Sequence, residues 1–400
     1  MKKAIILLGV LIFSSIGVIS CSKDNSSPTS PGGGGVANEE LGIENIIPSE
    51  LGSLYTSNFN RYTKVVTPNG GKIDIVAQSE ITDEQIVRCR SILEFYLTNY
   101  PGSQYGSDKS EVANQMAENN ALLCLLNGQD DGTNPISDQV TGQPLYKNEI
   151  QVEGGEWYMN QDYDHRDASF EEILHFVHDN GIGVDGPNTL PGALPLYQAE
   201  IRAAQENALS NNLWGIGQEQ WIQELTAENS LTQEYLASVV DAYYGLWGAF
   251  TENETNGMWG FYVGKTREDM EIDDPMGYAL MDNKFFHPYL TYNARIDSSL
   301  NGNFSLKFDA SKPYTHHSRY LRDITLLGSN NNTVTVNELN NSIKGNKGVN
   351  TVIFSGLSEE YTITEENGIT IVSDKVENRD GVNSLSKVEK LKFIDQTIDL

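Results

Sequence analysis

Near residue 323 this 400-residue chain changes texture, and that change limits what it can fold into. Before it, apolar residues recur at helical spacing through several long segments. After it, Gly and Asn come at short intervals and the apolar runs shrink to strand length. The pattern predicts an α+β chain: a mixed helix and strand domain over 45–322, then a small all-β module over 323–400.

Within the first part, RYTKVVTPNGGKIDIVAQS predicts two strands around an Asn69-Gly70 turn. Thr82 and Gln85 have the spacing of a capping box, so a helix is expected through about Tyr96. NQMAENNALLCLLNGQDDG reads as another helix, breaking at Asn127-Gly128. EIQVEGGEWYMNQDYDHRD reads as extended chain entering a loop. In SFEEILHFVHDNGIG, Ser169 and Glu172 suggest a second capping box and Asn180-Gly181 a stop. More helices, rich in Trp and Tyr, are expected over 195–250.

The chain holds 27 Lys and Arg against 55 Asp and Glu, a net charge of -28, which argues against nucleic acid or an anionic membrane surface as partner. It is compatible with weak calcium association but names no calcium site. Cys89, in a helical pattern, and Cys124, in ALLCLL, are expected to be buried; their spacing leaves a disulfide between them open.

At the N-terminus, Lys2 and Lys3 precede a mostly apolar run, Ala4 to Ile19, of signal-peptide length. That run ends in Val18-Ile19-Ser20-Cys21, which resembles the lipobox of bacterial lipoproteins. The resemblance implies removal of residues 1–20, acylation of Cys21, attachment to a lipid bilayer, and a place in the cell envelope, at the outer membrane or cell surface. The Ser/Pro/Gly-rich residues that follow predict a flexible tether over 21–44.

Residues 345–353, GNKGVNTVI, are similar to the calcium-binding nonapeptide of RTX proteins, with Gly345, Gly348 and Val352 matching. Asn350 stands where that motif has Asp, keeping an oxygen but losing the charge; it is the one candidate calcium ligand. The last 75 or so residues also resemble the segment that closes serralysin-type β-rolls, through Tyr361, Gly381, Asn383, Leu385, Val388, Glu389, Leu391, Phe393 and Asp395. The resemblance implies a β-roll-like cap serving secretion, folding or attachment, with or without bound calcium.

The chemistry-bearing candidate is Glu171-Glu172-Ile173-Leu174-His175. Residues four apart on a helix lie on one face, so Glu171 and His175 can address one ion, with Glu172 placed to take a proton from a water polarised by it. This resembles the HExxH helix of zincins with the first His replaced by Glu. In the gluzincins a third ligand comes from a later helix, and Glu234, Tyr235 and Ala237 in TQEYLASVVDAYYG match the pattern of lethal-factor-like members. The resemblance implies zinc on Glu171, His175 and Glu234, with Glu172 as general base in a peptidase. Carboxylate in place of imidazole makes that site harder and weakens its preference for zinc. His178 and Asp179 are candidates for a further ligand and an orienting carboxylate.

A plainer reading stays open. Glu172 is then the third residue of a capping box, Glu171 a favourable charge at a helix start, and the His residues hydrogen-bonded structure. On that reading the chain is a non-catalytic surface lipoprotein for adhesion or binding. His165 is placed to approach the metal helix, His316-His317 to line a pocket, and His287 to enter a loop or strand. No nucleophile elbow, P-loop, dinucleotide fingerprint or CxxC is present.

Overall fold

A computed structural model describes residues 38–161, 163 and 166–400. The signal segment, Cys21, most of the tether and His165 lie outside the described residues. Where description begins, the chain is already docked: Ile43 is buried and Glu44 bridges to Tyr62. The tether expected to reach residue 44 therefore ends earlier.

Helix α1 (Ser53–Asn58) leads into β1 (Arg61–Val66), which turns through Gly70 (φ 82) into antiparallel β2 (Lys72–Ala77). Both halves of the Thr82/Gln85 capping box form at the start of α2 (Asp83–Leu97). Helix α3 (Ser110–Glu118) stops where Asn120 turns left-handed (φ 55), and residues 122–126 become β3 (Leu122–Leu126) instead of continuing the helix. The reason is burial on both faces. β3 lies between β2 and β4 (Gln143–Tyr146), parallel to both, and a central parallel strand carries an unbroken apolar run that periodicity cannot separate from a helix.

Next come the short α4 (Glu156–Asn160) and α5 (Ser169–Val177), which runs on into a π-helical turn, His178–Ile182. After them are α6 (Pro195–Ser210), α7 (Glu219–Glu228), α8 (Leu231–Tyr243), α9 (Arg267–Asp273) and α10 (Pro275–Met281). Helix α5 packs against α2, α8 and β4, so it is enclosed except along one face.

The rest of the chain is β5 (Leu290–Ile296), β6 (Asn303–Ser305), the short α11 (Thr315–Ser318), β7 (Leu321–Leu326), β8 (Thr333–Thr335), β9 (Asn341–Lys344) and β10 (Thr351–Ile353). The hairpin β11 (Tyr361–Glu366) and β12 (Ile369–Asp374) follows, then β13 (Val382–Ser386), β14 (Lys390–Lys392) and β15 (Thr397–Asp399). From β5 to β10 successive strands alternate between two sheets, ordered β11-β12-β13-β9-β7-β5 and β15-β14-β10-β8-β6. Parallel register stacks like residues: Ile324, Ile343 and Leu385 in one sheet, Phe304, Val334, Val352 and Leu391 in the other, all buried. β5 and β6 belong to these sheets although they precede residue 323, so the strand-rich part begins at Leu290.

Helices at 34 % and sheets at 21 % make the chain α+β. One core cluster runs from Ile43 to Phe393, and a smaller one, with Tyr55, Tyr62 and Cys124, covers the other face of the first sheet. Cys89 lies in the larger cluster; both thiols are buried and free. Among the described residues, no helix is long and apolar enough to cross a membrane.

Candidate metal centre

The capping box expected at Ser169 does not form. Ser169 is the first helical residue, Ala168 precedes it without a side-chain cap, and Asp167 Oδ1 accepts the Ser169 N–H at 3.1 Å. Glu172 is thus released from capping. Its Oε2 accepts a 2.6 Å hydrogen bond from Gln143 Nε2, on the edge strand β4.

Glu171, Glu172 and His175 are the one group of at least three acidic, His or Cys residues, among the described residues, whose ligand atoms all lie within 4.8 Å of one another. All three are buried, and all line the wall of a 1580 Å³ cleft bounded also by β4, α7 and the first turn of α8. Glu234 falls outside the 4.8 Å group, but its Oε1 stands 3.8 Å from His175 Nε2. His175 Nδ1 lies 3.7 Å from Glu172 Oε2. His175 is 9 % exposed, and its Nε2 has no hydrogen-bond partner.

The electrostatics follow from packing acids together out of water. Burial opposes protonation of His175, but the Glu234 and Glu172 carboxylates outweigh it and push its pKa up to about 9. Burial raises Glu234, with His175 pulling the other way. Burial, with repulsion from Glu172, also lifts Glu149 to about 7. Asp241, on α8, is raised to about 7 by burial despite the Arg166 guanidinium. Glu149 and Asp241 had no motif to mark them in the sequence.

Arg166 forms an ion pair with Glu171 Oε2. Neither this contact nor the Gln143 bond follows a helical spacing: Arg166 precedes the helix, and Gln143 arrives from a strand adjacent only in space. Tyr235 of the Glu234 motif turns away from the cleft to bond Asp274 Oδ2 at 2.7 Å.

His178 is not an alternative ligand. It lies outside the cleft lining, and its Nε2 meets Gln198 Oε1 at 2.6 Å in the interior. Asp179 does line the cleft and accepts from Gln233 Nε2 at 3.1 Å. His316 and His317 sit on α11 and do not line the cleft; His317 is buried with Nδ1 2.7 Å from the Tyr244 carbonyl, and His316 packs on Phe308. His287 contacts the Tyr289 backbone.

In the C-terminal sheets Asn350 is buried, and its Nδ2 donates to the carbonyls of Gly348 at 2.9 Å and Lys387 at 3.3 Å and to Glu389 Oε2 at 3.2 Å. An amide N–H therefore meets these oxygens where the nonapeptide comparison would put a cation.

Comparison of the chain with protein-family models, with curated proteins and with solved structures finds no match.

Proposed function

We propose that the cleft is the active site of a metal-dependent hydrolase of zincin type, acting on peptide bonds. Glu171, His175 and Glu234 would hold the metal, and Glu172 is the general base. The observation that carries this reading is His175 Nε2: a buried ring nitrogen without a hydrogen-bond partner, facing the Glu234 carboxylate at 3.8 Å. Buried among carboxylates, that nitrogen is satisfied either by its own proton, which the Glu234 and Glu172 charges favour, or by a metal ion shared with Glu234. Two carboxylates and one imidazole form an oxygen-rich donor set that suits zinc or a harder divalent ion.

When bound, the ion would supply Lewis acidity toward a water and the scissile carbonyl. Gln143 fixes the Glu172 carboxylate in the cleft wall. Glu172 accepts a proton from the attacking water and passes it to the leaving amine. The lipobox-like N-terminus supports placing this activity on a membrane surface of the envelope, with the roll-like C-terminal sheets as a cap; calcium at Asn350 has no support from its hydrogen bonds.

The Arg166–Glu171 ion pair favours a second reading, a non-catalytic binding lipoprotein in which the guanidinium already neutralises the cluster. Elemental mass spectrometry separates the two. One equivalent of transition metal in the wild type, lost in His175→Ala and Glu234→Gln, with peptide hydrolysis lost in Glu172→Gln while metal is retained, is the expected result. A protein that stays metal-free after incubation with zinc, manganese or cobalt would overturn the hydrolase.

A further inference from the structure

One wall of the cleft is built from α7. Trp221, Glu224, Leu225 and Glu228, spaced as one helical face, all line it. Phe261 lies against Trp221 with ring centroids 6.3 Å apart. Trp259 completes this aromatic wall from a loop in which Met258 (φ 46) and Trp259 (φ 52) are consecutive left-handed residues. Bulky residues in that conformation persist only where the surroundings impose it, and such positions concentrate at ligand-binding sites.

Charge is equally one-sided. Among the described residues lining the cleft, eleven are Asp or Glu and two are Lys or Arg. Both cations are already paired: Lys72 with Glu50 and Asp74, Arg166 with Glu171. Among the described residues neither Glu224 nor Glu228 has a Lys or Arg ion-pair partner, and both carboxylates lie on the cleft-lining face of α7. His175, whose buried Nε2 has no hydrogen-bond partner, lines the same cleft from α5, so the cleft carries a second ligand-facing group outside α7. The protein itself shows how a cation is received here: the Arg166 guanidinium lies 5.4 Å from the Trp259 ring centroid.

The geometry points to the Trp221–Glu224–Glu228 face, with Phe261 and Trp259, as a subsite for a basic side chain, so that the ligand is a Lys- or Arg-bearing peptide segment. This deepens the hydrolase reading and rests on it for the choice of peptide. The aliphatic stem of Lys or Arg covers the rings while the charged head meets two carboxylates.

The test is fluorescence anisotropy with the full-length Glu172→Gln protein in detergent. It uses a labelled peptide carrying Lys and Arg and one of the same length carrying Glu in their place. The basic peptide is expected to bind at least about tenfold tighter, to weaken in 0.5 M salt, and to lose about tenfold on Glu224→Gln/Glu228→Gln. A control pair on the exposed β11 strand, Glu365→Gln/Glu366→Gln, should leave binding unchanged, separating the subsite from the general negative charge. Equal binding of both peptides, or equal loss in both double variants, would overturn the subsite. Selective binding of the basic peptide with no cleavage by metal-loaded wild type would keep the subsite and remove the hydrolase. Cleavage of both peptides at equal efficiency would do the reverse.

Discussion

Two groups of buried charges meet at the start of α5, and they are built on opposite principles. In the first, Arg88 donates to Asp167 Oδ1 at 3.2 Å and Oδ2 at 2.5 Å and to Glu153 Oε2 at 3.1 Å, while Tyr292 donates to the other Glu153 oxygen at 2.6 Å. In the second, one turn further along the helix, carboxylates crowd a histidine whose Nε2 has no partner. The first cluster is closed on itself and ties α2 to the start of α5; the second opens on a cleft. Burying charge is costly in both cases, so only the closed one is expected to be needed for folding. The largest effect should therefore come from Arg88→Met, which leaves Glu153 and Asp167 uncompensated and should lower stability by about 3–5 kcal/mol in urea unfolding. His175→Gln should cost less, about 1–2 kcal/mol near pH 7, because it removes the imidazolium held by the Glu234 and Glu172 carboxylates, and that cost should fade as pH rises through about 9. Similar losses in the two variants would mean that the cleft cluster is structural as well.

The C-terminal sheets bury amides instead of charges, and at Asn350 the Nδ2 side is paired while Oδ1 has no hydrogen-bond partner. Replacing Asn350 by Asp would turn the donor that faces Gly348 O, Lys387 O and Glu389 Oε2 into an acceptor. Asn350→Asp should cost about 1–3 kcal/mol in chelator. Millimolar calcium should restore part of that loss, while wild-type stability should not respond to calcium. A calcium-dependent melting temperature in the wild type would instead place a cation in the native module.

How much of this was legible follows from how local each feature is. The α2 capping box, the β1–β2 turn and the helices after Pro195 depend on neighbours a few residues away, and all appear where the sequence put them. β3 reads as helix in the sequence because an apolar run buried on both faces carries no periodicity. The Ser169/Glu172 box does not form because the helix starts at Ser169 itself, one residue earlier than the box requires, with the Ser169 N–H taken by Asp167 Oδ1. Glu171, Glu172 and His175 come together because helical spacing alone brings them together. Glu234 depends on how α8 packs on α5, which only its motif resemblance suggested. Gln143, Arg166, Glu149 and Asp241 depend on tertiary packing with no motif behind it, and none was visible. The start of the two-sheet part was placed too late for a related reason: β5 reads as one more strand until its parallel pairing with β7 is seen.

Lys109 lies between the closed and open extremes. It is buried, with one hydrogen bond from Nζ to the Tyr96 carbonyl at 2.9 Å and the Phe285 ring 4.2 Å away. Burial lowers its pKa to about 7, below the roughly 10.4 of an unfolded chain. Between those values the unfolded state binds the extra proton, so stability from this group rises with pH across that window. Wild type should gain about 1–2 kcal/mol from this residue between pH 7 and 9, and Lys109→Met should lack that gain. Parallel pH profiles for the two proteins, followed by chemical unfolding, would show that the ammonium is not buried as described.

The smallest effect on folding should be the most informative about the cleft. Gln143 lies on β4, half-buried, and its 2.6 Å bond to Glu172 is the direct link between the first sheet and the proposed base. Gln143→Ala removes a neutral donor from a carboxylate at a solvent-reaching wall, so stability should fall by no more than about 1 kcal/mol. If Glu172 acts on a proton, its orientation matters more than its presence. kcat should then drop about tenfold with KM and metal content unchanged, and Gln143→Asn should recover less than its chemistry suggests because the shorter side chain falls short of Oε2. Activity unaffected by Gln143→Ala but lost in Glu172→Gln would keep the base and discard the strand as its positioning element. Activity unaffected by either would place the cleft cluster with the Arg88 network, as buried charge that serves the fold.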